Sequence, residues 1–143
     1  MIPTLEWLPA GVNFIDQTKL PLEETYVLAK DYREVATVIR DMIVRGAMAI
    51  GVSAAMGVAL GIDRSQATTI SALNQEVAEI CAHLAATRPT AVNLFWGIGQ
   101  IRDLYNQLAA AHTPIPEIKL AVIARALEMY DEDIANCREL GRL

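Results

Sequence analysis

The stretch IRDMIVRGAMAIGVSAAMGVALGI, residues 39–62, decides how the rest of the chain must be arranged. Behind Arg45 come 17 residues, Gly46 to Ile62, with no charge among them. Ala47, Gly51, Ala54, Val58 and Gly61 recur at steps of four and three, which puts small residues along one face of a helix where another backbone can approach closely. The opposite face, Met48, Val52, Met56 and Ala59, is apolar as well. A helix without a polar side must be surrounded, so this segment is expected at the centre of a helical bundle. Its 17 residues sit at the lower limit for a membrane span of about 20, and four glycines dilute its hydrophobicity, so a buried helix of a soluble domain is expected.

Working outward, the first thirty residues read as short strands. Leu5 and Trp7 lie before the turn signal Pro9-Ala10-Gly11, Val12 and Phe14 lie after it, and Tyr26-Val27-Leu28 follows a further bend. From Asp31 onward the pattern is helical. Asp31 is placed to cap a first helix to about Ile43, with Val35, Val38, Ile39 and Met42 inward. Ser65 and Thr69 offer caps for a third helix to about Ala86. Thr90 offers one for a fourth, Ala91 to about Ala111, which carries Leu94, Phe95, Ile98, Ile101, Leu104 and Leu108. A fifth starts near Pro116 with the stripe Leu120, Ile123, Leu127, Tyr130, Ile134 and Cys137, and has room for about 24 residues, roughly 36 Å. The expected fold is one mainly α domain over residues 1–143, a small N-terminal antiparallel sheet (1–30) followed by a bundle of about five helices (31–143).

Composition narrows the function. The 143 residues carry a net charge of -5, which excludes the basic stripe of a general nucleic-acid binder but leaves room for a small anion held by a few arginines. Cys81 and Cys137 lack CxxC spacing, and the opening MIPTLEWLPA carries Glu6 and no basic-then-apolar leader. These features give the expectation of a reduced, cytoplasmic chain without a membrane segment.

The chemistry lies where apolar helices start. Val44-Arg45-Gly46-Ala47 delivers an arginine to the mouth of the central helix, where unpaired N–H groups and the positive dipole end favour an anion. Glycine lets a ligand approach the backbone, and guanidinium grips phosphate or carboxylate through two hydrogen bonds. Thr87-Arg88-Pro89-Thr90 repeats the arrangement before the fourth helix, so both mouths could converge on one phosphate. Alternatively each arginine pairs with a carboxylate such as Asp41 or Glu76. Cys81-Ala82-His83 has metal-capable atoms at the wrong helical spacing, and no metal site is expected. His112 is read as a helix-end cation, Cys137 as core, Asn93 as a satisfied amide or ligand-orienting group, and no acid–base pair is evident.

Four blocks carry a resemblance. Phe14-Ile15-Asp16-Gln17-Thr18 with Leu20-Pro21, Ile39 to Ala47, Ala49-Ile50-Gly51, and Arg88-Pro89-Thr90-Ala91-Val92-Asn93-Leu94-Phe95-Trp96 together resemble the amino-terminal part of the methylthioribose-1-phosphate isomerase family. The resemblance implies an aldose–ketose isomerase of methionine salvage, working on a sugar phosphate without metal or nucleotide cofactor. It assigns substrate binding to Arg45, Gly46, Ala47 and Arg88. Met48 stands where the family usually has proline, which implies a less rigid mouth. Family enzymes are about twice as long or more, and their catalytic cysteine and aspartate belong to a second, Rossmann-like domain whose motifs do not occur here. No catalytic residue is therefore assigned, and Cys137 does not inherit the cysteine's role. The chain alone is expected to be inactive, and its apolar fifth helix to favour a homo-oligomer. Two rival readings remain: a sugar-phosphate-sensing regulatory module like the translation-initiation exchange-factor subunits, and a purely structural helical oligomer.

Overall fold

The structure, a computed structural model, describes residues 5–15, 26–41, 47–87 and 92–141. Three strands, β1 (Leu5–Leu8), β2 (Gly11–Ile15) and β3 (Tyr26–Ala29), form an antiparallel meander in the order β1-β2-β3. Pairing of Leu8 with Gly11 leaves Pro9 and Ala10 as the turn, as the punctuation in the sequence suggests. Registers Trp7↔Val12↔Ala29 and Leu5↔Phe14↔Val27 put these residues on one face of the sheet. Val12, Phe14 and Ala29 are fully buried, so that face joins the core. Gly11 is required at its place, because its φ of +152° is rare for L side chains and a Cβ there would lie 2.1 Å from the Ala29 carbonyl oxygen.

Five helices follow: α1 (Tyr32–Arg40), α2 (Ala47–Asp63), α3 (Ile70–Ala85), α4 (Val92–Ala110) and α5 (Ile115–Gly141). Asp31 caps α1, its side chain accepting from the Glu34 N–H at 2.9 Å, and Glu34 reaches back to the Lys30 N–H. Thr69 caps α3 by accepting from the Ala72 N–H at 3.2 Å. Ser65 is not a second cap. Its hydroxyl accepts from the Ala67 N–H in a local turn and donates to the Glu76 carboxylate. α1 ends at Arg40 with Asp41 as C-cap, its N–H donating to the Thr37 and Ile39 carbonyls, and the end read at Ile43 lies outside the described residues.

α2 occupies the centre, touching α1, α3, α4, α5 and β2. Every residue from Ile50 to Ile62 is buried, which is why no charge is found among them. Ser53 is tolerated there because its hydroxyl donates to the Ala49 carbonyl at 2.6 Å. A fully buried leucine such as Leu60 contributes about 2–3 kcal/mol by leaving water.

The stripe read for α5 is shifted. Ile118, Val122, Ala126 and Met129 are buried, Ile123, Leu127 and Tyr130 form a half-buried shoulder, and Leu120 is 70% exposed. The reason is packing against α2: the small Ala126 lies on the inward line where helices approach closely, and the bulkier residues are displaced to its side. On α4, Leu94, Ile98 and Ile101 are buried as expected, whereas Phe95 is 45% exposed. The side chains of Ile134 and Cys137 lie outside the described residues, as does Met42.

α4 ends in a Schellman motif. Thr113 N–H donates to the Leu108 carbonyl and His112 N–H to the Ala109 carbonyl, with His112 at φ +58°. His112 is thus the left-handed residue closing the helix, at the helix end where the sequence places it. A left-handed conformation costs a non-glycine residue roughly 1 kcal/mol. His112→Gly is therefore expected to raise the urea midpoint by an amount equivalent to about 0.5–1 kcal/mol, and a lower midpoint would refute this cap geometry.

Candidate anion site

The two helices that the sequence marks as anion mouths, α2 and α4, cross at their amino-terminal halves. A Cβ built on Gly97 would lie 2.0 Å from the Gly51 carbonyl oxygen, and one on Gly51 would lie 2.9 Å from the Asn93 carbonyl oxygen. Gly51 is four residues into α2, about 6 Å along its axis, and Gly97 is five residues into α4, about 7.5 Å. Both helix starts therefore lie within about one and a half turns of a single backbone contact. Asn93, in the first turn of α4, is at that contact through its carbonyl, a role that belongs to the backbone rather than to the amide considered from sequence.

Of the residues assigned to the site, Ala47 opens α2. Arg45, Gly46 and Arg88 lie outside the described residues, as do Pro89 and Thr90. Of the carboxylates considered as alternative partners, Asp41 faces Arg40 at 3.4 Å, with both side chains exposed, and Glu76 accepts the Ser65 hydroxyl.

Other candidates resolve into structural roles. Cys81 and His83, two apart on α3, point to different sides, as a rotation of about 200° requires. Cys81 is buried, while exposed His83 meets the Tyr32 ring edge-on with centroids 5.6 Å apart. Burial pushes the Cys81 thiol up to about 11, the positive charge of Arg102 opposing the shift, so at neutral pH it is a protonated core group and not a nucleophile. No cluster of three metal-ligating side chains occurs among the described residues. No helix among them is long and apolar enough to cross a membrane. A groove of about 420 Å³ between α3 and α4 is lined by Asn74, Cys81, Arg102, Tyr105 and Asn106 among others. The Tyr105 hydroxyl donates to Asn74 Oδ1 at 2.5 Å, and burial raises the pKa of this phenol. One guanidinium and no carboxylate in that lining make no acid–base pair.

A three-stranded meander packed on a bundle with a buried, predominantly apolar central helix, two helix starts meeting at a glycine crossing, defines a class of α-rich domain rather than one enzyme. The chain belongs to the Initiation factor 2 subunit family, whose model matches residues 43–143. It is 48% identical over 142 residues to the methylthioribose-1-phosphate isomerase of Koribacter versatilis, covering 99% of this chain and 40% of that protein. To the protein of the same name from Geobacter metallireducens it is 45% identical over 139 residues, again covering 40% of that protein. The 5-methylthioribose 1-phosphate isomerase of Pyrococcus horikoshii superposes with a TM-score of 0.86 at 36% identity, over 92% of this chain and 36% of that one. The delta subunit of translation initiation factor eIF-2B from A. fulgidus superposes with a TM-score of 0.85 at 30% identity, over 94% and 38%. This chain thus spans about 40% of the length of the curated relatives it matches.

Proposed function

We propose that this chain is the substrate-phosphate-binding part of an aldose–ketose isomerase that converts 5-methylthioribose 1-phosphate to 5-methylthioribulose 1-phosphate in methionine salvage. The observation that carries this reading is the crossing at Gly51 and Gly97, which brings two helix starts together, each preceded within four residues by an arginine. A single phosphate there would meet the oriented N–H groups of both mouths and the guanidinium groups of Arg45 and Arg88, with Gly46 and Ala47 offering backbone contact. The identities to isomerases support the choice of substrate over other phosphate esters.

Isomerisation requires more than binding. The anomeric carbon of the substrate is blocked by its phosphate, so the ring must open before hydrogen can move between neighbouring carbons. That step calls for a positioned acid, and loss of such a group commonly lowers a rate by 10²- to 10⁴-fold. In this reading the residues of this chain bind and orient, while proton transfer falls to residues of a second domain in the further length that the relatives have. Metal and nucleotide cofactors have no part in it. The setting is cytoplasmic, and the assembled protein is a homo-oligomer.

In the full-length protein, Arg45→Ala and Arg88→Ala are each expected to weaken affinity for methylthioribose 1-phosphate, or to lower turnover, by at least tenfold, about 1.4 kcal/mol. Calorimetric titration and steady-state kinetics measure both quantities. Wild-type behaviour in both variants would remove the clamp.

A regulatory reading is favoured by one observation, the near-equal superposition on the exchange-factor delta subunit. In that case the pocket would sense a sugar phosphate without converting it. Binding without turnover in the full-length protein would select this alternative.

A further inference from the structure

Helix α4 packs against α2, α3 and α5, and what is left of its surface faces water. Along that strip Val92, Phe95, Gly99, Arg102 and Asn106 follow one another at steps of three, four, three and four, the spacing of a seam that lies against another helix. Its apolar end is uncovered, Val92 being 79% and Phe95 45% exposed. The Arg102 guanidinium lies on the same strip, 3.6 Å from where a Gly99 Cβ would stand. Its contact with the Asp103 carboxylate, at 3.6 Å with both side chains exposed, is too weak to hold it there.

We propose that this strip is the interface between two copies of the chain, with their α4 helices antiparallel about a two-fold axis that crosses between Arg102 and Asp103. The strip is complementary to itself about that point. Phe95 lies seven residues before Arg102 and Ala110 seven after Asp103, so each phenyl ring meets the partner's Ala110. The place is prepared for it, because Ala109 and Ala110 line one end of the 420 Å³ groove between α3 and α4. Gly99 and Asn106 exchange in the same way, small opposite larger. At the axis each Arg102 faces the partner's Asp103, so the seam carries no unpaired charge although each chain has a net charge of -5. An isologous contact of this kind closes at two copies. The inference rests on the homo-oligomer of the reading given above and is independent of the anion site. It puts the contact on α4 rather than on α5, where Leu120 is 70% exposed but Ile118 and Val122 are turned into the core.

Sedimentation velocity of the chain over a range of concentrations should show a monomer–dimer equilibrium. Phe95→Ala should weaken the dimer by about tenfold or more, as loss of a buried aromatic anchor does, while Leu120→Ala should leave it within about twofold of wild type. Arg102→Asp and Asp103→Arg each set like charges against each other at the axis, so each variant alone should sediment as a monomer. Mixed in equal amounts they should form a dimer again, because every carboxylate then faces a guanidinium. All four side chains are exposed, and circular dichroism checks that the variants keep the wild-type fold. A wild-type chain that stays monomeric overturns the interface and the homo-oligomer together. A dimer that survives both charge variants, or that does not return on mixing them, overturns the interface and leaves the homo-oligomer standing. Loss of the dimer in Leu120→Ala moves the contact to α5 and overturns it as well.

Discussion

Ala55→Asp is expected to leave no cooperatively folded protein, although it adds only a carboxyl group to one alanine. Ala55 is at the middle of α2 and fully buried, with helices on every side. A carboxylate there loses water and gains no cation, at a cost of several kcal/mol whether it stays charged or takes up a proton. Its extra volume adds about 1–3 kcal/mol of overpacking in a core filled to crystal density. Against a total stability of about 5–15 kcal/mol for a domain of this size, the sum removes most or all of the margin. Ala124→Asp is the matching control, since Ala124 is exposed on α5 and the change there costs only the difference in helix propensity, under about 1 kcal/mol. Far-ultraviolet circular dichroism with thermal melts distinguishes the two. A cooperative melt for Ala55→Asp near that of Ala124→Asp would mean that one side of α2 is open to water.

The central place of α2 is legible in the sequence because a helix without a polar face has only one kind of stable surrounding. The caps Asp31 and Thr69 are legible too, since a side-chain oxygen three residues before an orphan N–H acts locally and needs no tertiary context. The phase of α5 is not. Its apolar arc is wide enough to accept several orientations, and the choice of Val122 and Ala126 over Leu120 is made by the surface of α2, a helix distant in the chain. The left-handed backbone of His112 is hidden for a related reason: a histidine at a helix end carries the same letter whether it supplies a charge or closes the helix with φ > 0. The anion role proposed for Arg45 and Arg88 rests on residue type and position, both residues lying outside the described ones. The partner of Gly51 across the crossing cannot, because glycine spacing along α2 says that something comes close without saying which carbonyl.

Gly97→Ala tests that contact directly, with an expected loss of about 3 kcal/mol or more. Intrinsic propensity argues for a gain, since alanine is favoured over glycine inside a helix by about 1 kcal/mol. Packing argues the other way: the new methyl would stand 2.0 Å from the Gly51 carbonyl oxygen and 2.8 Å from its carbon, distances that only movement of a whole helix can relieve. Parting α2 from α4 uncovers apolar surface along a central seam of the core and opens voids that side chains cannot refill, so the packing loss exceeds the propensity gain severalfold. Gly99, two residues on, provides the comparison. A methyl there meets only the Arg102 guanidinium at 3.6 Å, an ordinary contact, so Gly99→Ala is expected to stabilise the protein by up to about 1 kcal/mol. Urea denaturation of the pair reads the difference as midpoints shifted in opposite directions from wild type. If both midpoints rise together, α2 and α4 do not touch at Gly51 and Gly97, and the proposed convergence of the two arginine-bearing mouths loses its physical basis.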